Sequence, residues 1–171
     1  MRAHAAGLRA ALTGLACAIL SAPLPALAAE NVAFDEAAAG TIVVHTQDRE
    51  LFLVLEGGRA LRYSVGVGRQ ATQWTGHAAI ADMFVLPNWV PPPEVRRDNP
   101  SLPAMIAGGE ANNPLGAAAM TLAGGSYAIH GTNKPESIGG FVSYGCIRMD
   151  NADILDLYDR VMPGTPVIVT N

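Results

Sequence analysis

The sequence is poor in cysteine, in aromatic side chains and in positive charge. Its 171 residues hold two Cys, two Trp, four Tyr and four Phe. Two thiols allow one bridge at most, which excludes a disulfide scaffold, and a chain of this length buries about two-thirds of its unfolded surface without one. Eleven basic against fifteen acidic side chains give a formal charge of -4, the wrong sign for the basic footprint of a nucleic-acid binder, so no such partner is expected. No apolar run reaches the roughly 20 residues of a spanning helix, so no stable membrane insertion is expected. Charged residues at 15% beside 50% hydrophobic ones also exclude a disordered chain. Glycine (18) and proline (12) are plentiful, and the length fits one globular domain.

The leading residues read as a signal peptide rather than as part of that domain. Arg2 and Arg9 precede the apolar run Ala10 to Leu20, Pro23 and Pro25 end it, and Ala26-Leu27-Ala28 supplies small residues at alternate positions. Residues 1–28 therefore have the layout of a cleaved secretory leader, and the chain is expected in the periplasm or cell envelope. Lipidation at Cys17 is disfavoured, because Gly14 occupies the place where a lipobox has Leu. Cleavage after Ala28 removes two arginines and no acids, leaving 143 residues with nine basic and fifteen acidic side chains. It also leaves Cys146 as the single cysteine. An unpaired thiol in an oxidising compartment is either a buried inert group or a nucleophile.

Residues 29–40 are Ala-rich and read as an arm or linker, and the domain proper is placed at 41–170. Strands are predicted at Thr41 to Thr46, at Leu51 to Leu55 and at Leu61 to Val67, the last two forming a hairpin around Gly57-Gly58. Further strands are predicted at Ala78 to Val85, Met120 to Leu122, Tyr127 to His130 and Val167 to Thr170. One helix is predicted over Asn151 to Met162, capped by Asp150 or Asn151, with Ile154, Leu155, Leu157, Tyr158 and Val161 on its apolar face. Between Leu86 and Gly125 lie seven of the twelve prolines. That segment carries Trp89, Val95, Met105, Ile106 and Leu115, so it reads as an ordered loop: a wall or lid of a site, or a packing loop. The fold class is mostly β with a single late helix.

The chemistry gathers at the end of one predicted strand and the start of the helix. Ile129-His130-Gly131-Thr132 closes the strand, and Ser143-Tyr144-Gly145-Cys146-Ile147-Arg148-Met149 leads into the helix. A thiol attacks a carbonyl carbon as thiolate, so it needs a base or a positive environment, and His130 is the natural partner of Cys146. Backbone N–H groups and the dipole of the nearby helix would favour the thiolate. Gly145 leaves room for a substrate carbonyl, the N–H groups of Tyr144, Gly145 and Cys146 are candidates for an oxyanion hole, and Arg148 suits a carboxylate. His45, His77, His130 and Cys146 lack the close pairs of a zinc motif, so no metal and no cofactor are expected. His before Cys is the reverse of the papain order, and the Gln-Ala-Cys of caspases is absent.

These residues, with Ser137-Ile138-Gly139, Asp153 and Leu157-Tyr158, resemble the signature of L,D-transpeptidase catalytic domains of the YkuD type. The resemblance extends to Tyr63-Ser64-Val65-Gly66-Val67-Gly68, Trp74-Thr75-Gly76, Pro87-Asn88-Trp89-Val90-Pro91-Pro92 and Asn113-Pro114-Leu115-Gly116, so it covers Thr41 to Val169. It implies a β-sandwich-like fold and peptidoglycan tetrapeptide stems as substrate. Cys146 would form a thioester with the residue at position three, release the terminal D-Ala and pass the acyl group to an amine of a second stem, making a 3→3 crosslink. His130 would be proton acceptor and donor, oriented by the Gly131 carbonyl, with Ser143 and Arg148 shaping the pocket or holding a substrate carboxylate. Carbapenem-type inhibitors are expected to acylate the thiol. Tyr144 departs from the His or Arg that many members carry, which bears on the acceptor. Water or a lipoprotein lysine as acceptor would use the same thioester, and a non-catalytic wall-binding domain would keep the fold alone.

Overall fold

A computed structural model describes residues 29–125 and 127–171, so the signal-peptide reading and Cys17 lie outside the described residues. Eleven strands are present among them: β1 Glu30–Ala33, β2 Ile42–His45, β3 Glu50–Leu55, β4 Arg59–Ser64, β5 Val67–Gly68, β6 Gly76–Val85, β7 Ala118–Leu122, β8 Ala128–His130, β9 Phe141–Ser143, β10 Ile147–Arg148 and β11 Pro166–Thr170. Two α-helices join them, α1 Pro93–Asp98 and α2 Asn151–Tyr158. Nine strands form one sheet in the order β1-β4-β3-β2-β11-β6-β7-β8-β10, and β5 pairs with β9 separately.

Strand β6 divides the large sheet. Its first residues pair with β11, its later ones with β7, and the register shifts between Ile80 and Met83. A bulge bends a strand and adds twist. The two parts thereby share one core, in which Ile42 and Val44 of β2 meet Met120 of β7, Ile129 of β8 and Ile154 and Leu157 of α2. Strand β2 has an uninterrupted apolar run because its other face is covered too: Val43 packs with Phe52, Val54, Ala60 and Phe34.

The arm read over 29–40 contributes structure. Strand β1 pairs antiparallel with β4, and Phe34 is buried on the outer face, stacked on Phe52 at 4.6 Å. The Ala-rich composition concealed both. The β3–β4 hairpin turns at Gly57 and Gly58, with φ of 75° and 69°. Glu56, Gly57 and Gly58 form a three-residue loop between paired Leu55 and Arg59, and glycine supplies its left-handed positions without strain.

Helix α2 begins where the sequence placed it, with the Asp150 carboxylate accepting from the Ala152 N–H at 2.9 Å. It ends a turn earlier than Met162, at Tyr158. The Arg160 N–H bonds to the Leu157 carbonyl three residues back, a tightening that closes the helix before Pro163 and Gly164. Val161 still packs on the core from beyond the helix, while Leu155 is exposed. The Tyr63 hydroxyl donates to Asp156 at 2.7 Å and ties α2 to β4.

The proline-rich segment is an ordered flap. It contains α1, and Trp89 and Ile106 exchange backbone hydrogen bonds at 2.8 Å in both directions. Buried Asn113 donates to the Pro87 carbonyl at 2.9 Å and the Ala107 carbonyl at 3.0 Å, and accepts from the Leu115 N–H at 2.9 Å. One amide thus closes the flap on itself, satisfying backbone groups that no strand partner reaches.

Candidate active site

Strands β8 and β10 run parallel, with Ile147 opposite Ile129 and Arg148 opposite His130. Side chains alternate along a strand, so the two isoleucines point into the core while Cys146, Arg148 and His130 share the other face. All three line one cavity of about 380 Å³, whose far wall is the flap, with Trp89, Val95 and Leu102. The flap is therefore a wall of the site as well as a packed loop.

The histidine is fixed in one tautomer. Its Nδ1 lies 2.6 Å from the Gly131 carbonyl oxygen, and a carbonyl can only accept, so Nδ1 carries the proton and Nε2 presents its lone pair. Burial pushes the His130 pKa down to about 4, with the Arg148 charge adding to the effect against the Gly131 contact. The imidazole is therefore neutral at neutral pH, as a base must be. Burial also raises the Cys146 thiol, opposed by the Ala128 N–H at the sulfur and by the charge of Arg148. The thiolate favoured by sequence reasoning gives way to a neutral resting pair. The dipole argument overlooked that β10 intervenes between the thiol and α2, and that the cavity desolvates the sulfur.

The loop before the cysteine is held by Ser143. Its hydroxyl donates to the Cys146 carbonyl at 2.6 Å and accepts from the Gly145 N–H at 3.0 Å. That assignment corrects the oxyanion reading: the Gly145 N–H is occupied, whereas those of Tyr144 and Cys146 have no acceptor among the described residues. Ser143 lines the cavity, but its proton is committed to the loop, so it shapes the site from within. Gly145 sits at φ 121°, and a Cβ there would run into the Tyr127 ring. Tyr127 stacks on Trp74 at 5.0 Å, and the Trp74 indole donates to the Gly145 carbonyl at 2.9 Å.

Arg148 donates to the Ser137 hydroxyl at 3.0 Å, and its buried Nε has no partner among the described residues. Arg148 also lines the cavity, where a guanidinium is suited to a carboxylate. His45 is remote from this cavity, between Phe34 and Phe52, and His77 lies in β6 paired with β11. Among the described residues no three His, Cys, Asp or Glu side chains form a metal-binding group.

Sequence reasoning missed Asn151, noted there only as a possible cap. Its Oδ1 accepts from the Ala117 N–H at 2.9 Å and the Thr132 N–H at 3.0 Å, and its Nδ2 donates to the Thr132 carbonyl at 2.8 Å. Gly116 and Gly131 surround it so closely that a Cβ on either would collide with the amide. One side chain thus joins the base of the flap, the segment after His130 and the start of α2. The signal available was Gly116 and Gly131, which without coordinates cannot be traced to a common neighbour.

The model of L,D-transpeptidase catalytic domains matches residues 39–169. The chain belongs to that family. It is 34% identical over 135 residues to YqjB of Bacillus subtilis, which is named for the same family, covering 76% of this chain and 70% of YqjB. It is 34% identical over 140 residues to the Escherichia coli relative YcfS but spans only 43% of that protein's length. The avibactam carbamoyl enzyme of Ldtfm shares the fold at TM-score 0.62 and 18% identity, over 79% of this chain and 50% of that one. A Brucella melitensis structure described as a carnitine operon oxidoreductase, CaiA, is 37% identical at TM-score 0.56, covering 82% of this chain and 91% of its own. The redox activity in that description belongs to that protein.

Proposed function

We propose that this L,D-transpeptidase acts in the periplasm on peptidoglycan tetrapeptide stems, forming 3→3 crosslinks through a Cys146 thioester. The observation that carries the reading is the His130 imidazole, neutral and with no partner at Nε2 among the described residues, lining the same cavity as the Cys146 thiol. The Cys146 sulfur attacks the carbonyl carbon of stem residue three while its proton passes to His130 Nε2. The N–H groups of Tyr144 and Cys146 receive the developing oxyanion. The C–N bond then breaks, His130 returns the proton to the departing D-Ala amine, and a thioester remains. An amine of a second stem attacks that thioester, the C–S bond breaks, and the amine's proton returns through His130 to the sulfur. Arg148 binds a substrate carboxylate. Export by the 1–28 leader brings the enzyme to its polymer.

Carbapenem acylation of Cys146 follows from the same chemistry, and solved family members carry imipenem and a faropenem-derived adduct. Incubating the enzyme with disaccharide tetrapeptide and weighing the products tests the reading. A crosslinked dimer that disappears in Cys146→Ala is expected. Trimmed tripeptide alone would mean that water is the acceptor, and the absence of any thioester would refute the mechanism.

A further inference from the structure

Glu94 is the cavity residue that the acyl-transfer chemistry leaves unexplained. It sits in the first turn of α1, half-buried, on the same cavity as Cys146 and His130. Among the described residues it has no ion-pair partner. Its neighbours on α1 are engaged elsewhere. Arg96 reaches the carbonyls of Leu102, Pro103 and Ala104, Arg97 lies 3.6 Å from Asp98, and Asp98 accepts from the Tyr144 hydroxyl at 2.5 Å. Residues four apart share a helix face, so the contact that binds Asp98 to the cysteine loop also turns Glu94 toward it. Tyr144 is itself steadied by the Arg69 guanidinium, 3.9 Å from its ring centre.

The charge of Glu94 opposes the first half of the reaction, because it disfavours the Cys146 thiolate. A carboxylate without an ion-pair partner in a wall facing the nucleophile is free to meet a cationic visitor. The cavity's cations, Arg148 and Lys134, stand where it opens into a second lobe of about 430 Å³, which neither Glu94 nor Tyr144 lines. Glu94 is thus the acidic side chain lining the cavity beside the flap helix, with Arg148 and Lys134 lining it beyond the thiol.

We propose that Glu94 docks and selects the amine that resolves the thioester, held in place by the contact between Tyr144 and Asp98. This rests on the crosslinking reading above. The acceptor arrives as an ammonium, donates to the Glu94 carboxylate and releases one proton through it to water. The neutral amine then attacks the thioester carbonyl, the C–N bond forms, the C–S bond breaks, and the second proton passes through His130 Nε2 to the sulfur. Water carries no charge for Glu94 to recognise, so the residue biases the thioester toward amine.

The test is the ratio of crosslinked dimer to tripeptide made by wild type and by Glu94→Gln from one pool of tetrapeptide. Loss of a charge-assisted hydrogen bond predicts a fall in that ratio of at least about fivefold. Carbapenem acylation of Glu94→Gln, followed by intact mass, reports the state of the thiol separately and is expected to be faster than in wild type. Tyr144→Phe is expected to lower the ratio in the same direction by a smaller factor. An unchanged ratio in Glu94→Gln with dimer still formed overturns this inference and leaves the crosslinking reading standing. Tripeptide alone from wild type overturns both while retaining the thioester, and no thioester from wild type removes the proposed function itself. A folded Glu94→Gln protein that takes up no carbapenem would overturn the inference, because removing the charge is expected to speed acylation, and Glu94→Asp, retaining the charge, is expected to keep the wild-type ratio.

Discussion

The two walls of the active cavity are built on different principles. On one, β8 and β10 carry His130 and Arg148 from paired backbone and fix Cys146 directly before β10, with core isoleucines beneath and Ser143, Gly131 and Asn151 tying the loops. On the other, the flap holds its shape through Asn113, and its helix reaches the cysteine loop through the single hydroxyl of Tyr144 on Asp98. Groups that must meet at fixed geometry sit on or directly beside paired strands, whereas the residue proposed to choose among partners is carried by the flap. The proton path is thereby insulated from changes that alter the acceptor.

The sharpest break in the comparison comes on the strand wall. His130→Ala is expected to slow carbapenem acylation by about 10²-fold or more, and Cys146→Ala to abolish it, as read by intact mass. Gly145→Ala comes next. The added Cβ meets the Tyr127 ring in a backbone region that alanine rarely adopts, so a loss of about 1 to 3 kcal/mol is expected in denaturant unfolding, with acylation slowed about tenfold or more.

Much of the fold was legible because its signals are local. The strand over Leu51 to Leu55, the Gly57-Gly58 turn and the Asp150 cap each act within a few residues and appear as read, although β3 is buried on both faces because Phe52 and Val54 meet the second core. The arm strand and Phe34 were not, because the partners that give them a role, β4 and Phe52, are remote in sequence. In the site, the thiol and imidazole stood out by chemistry alone. Their charge state did not, since desolvation depends on the cavity, and the occupied Gly145 N–H and the joint at Asn151 arise from contacts across 2 to 34 residues.

Asn151 marks where the two walls meet. Asn151→Ala removes three hydrogen bonds to Ala117 and Thr132, and a destabilisation of about 1 to 3 kcal/mol is expected, with slower acylation because the segment after His130 loses its support. Calorimetry and acylation rates check the pair; a normal rate in a destabilised protein would show that the joint serves the fold alone. The smallest effect belongs to the flap. Asp98→Asn weakens the contact with Tyr144 and is expected to move stability by less than about 1 kcal/mol, since the pair is exposed, while lowering the dimer-to-tripeptide ratio.

In the proposed mechanism a neutral thiol and a neutral imidazole, with Nδ1 held by the Gly131 carbonyl, carry out acyl transfer at Cys146. The pH dependence of single-turnover acylation, followed by intact mass, tests it most directly. His130 must be unprotonated to act as base, and burial holds its pKa near 4, so the rate should persist through pH 6 and fall only as the pH drops through about 4. A rate that already falls near pH 6.5, or one that follows the pH in the same way in His130→Ala, would contradict it.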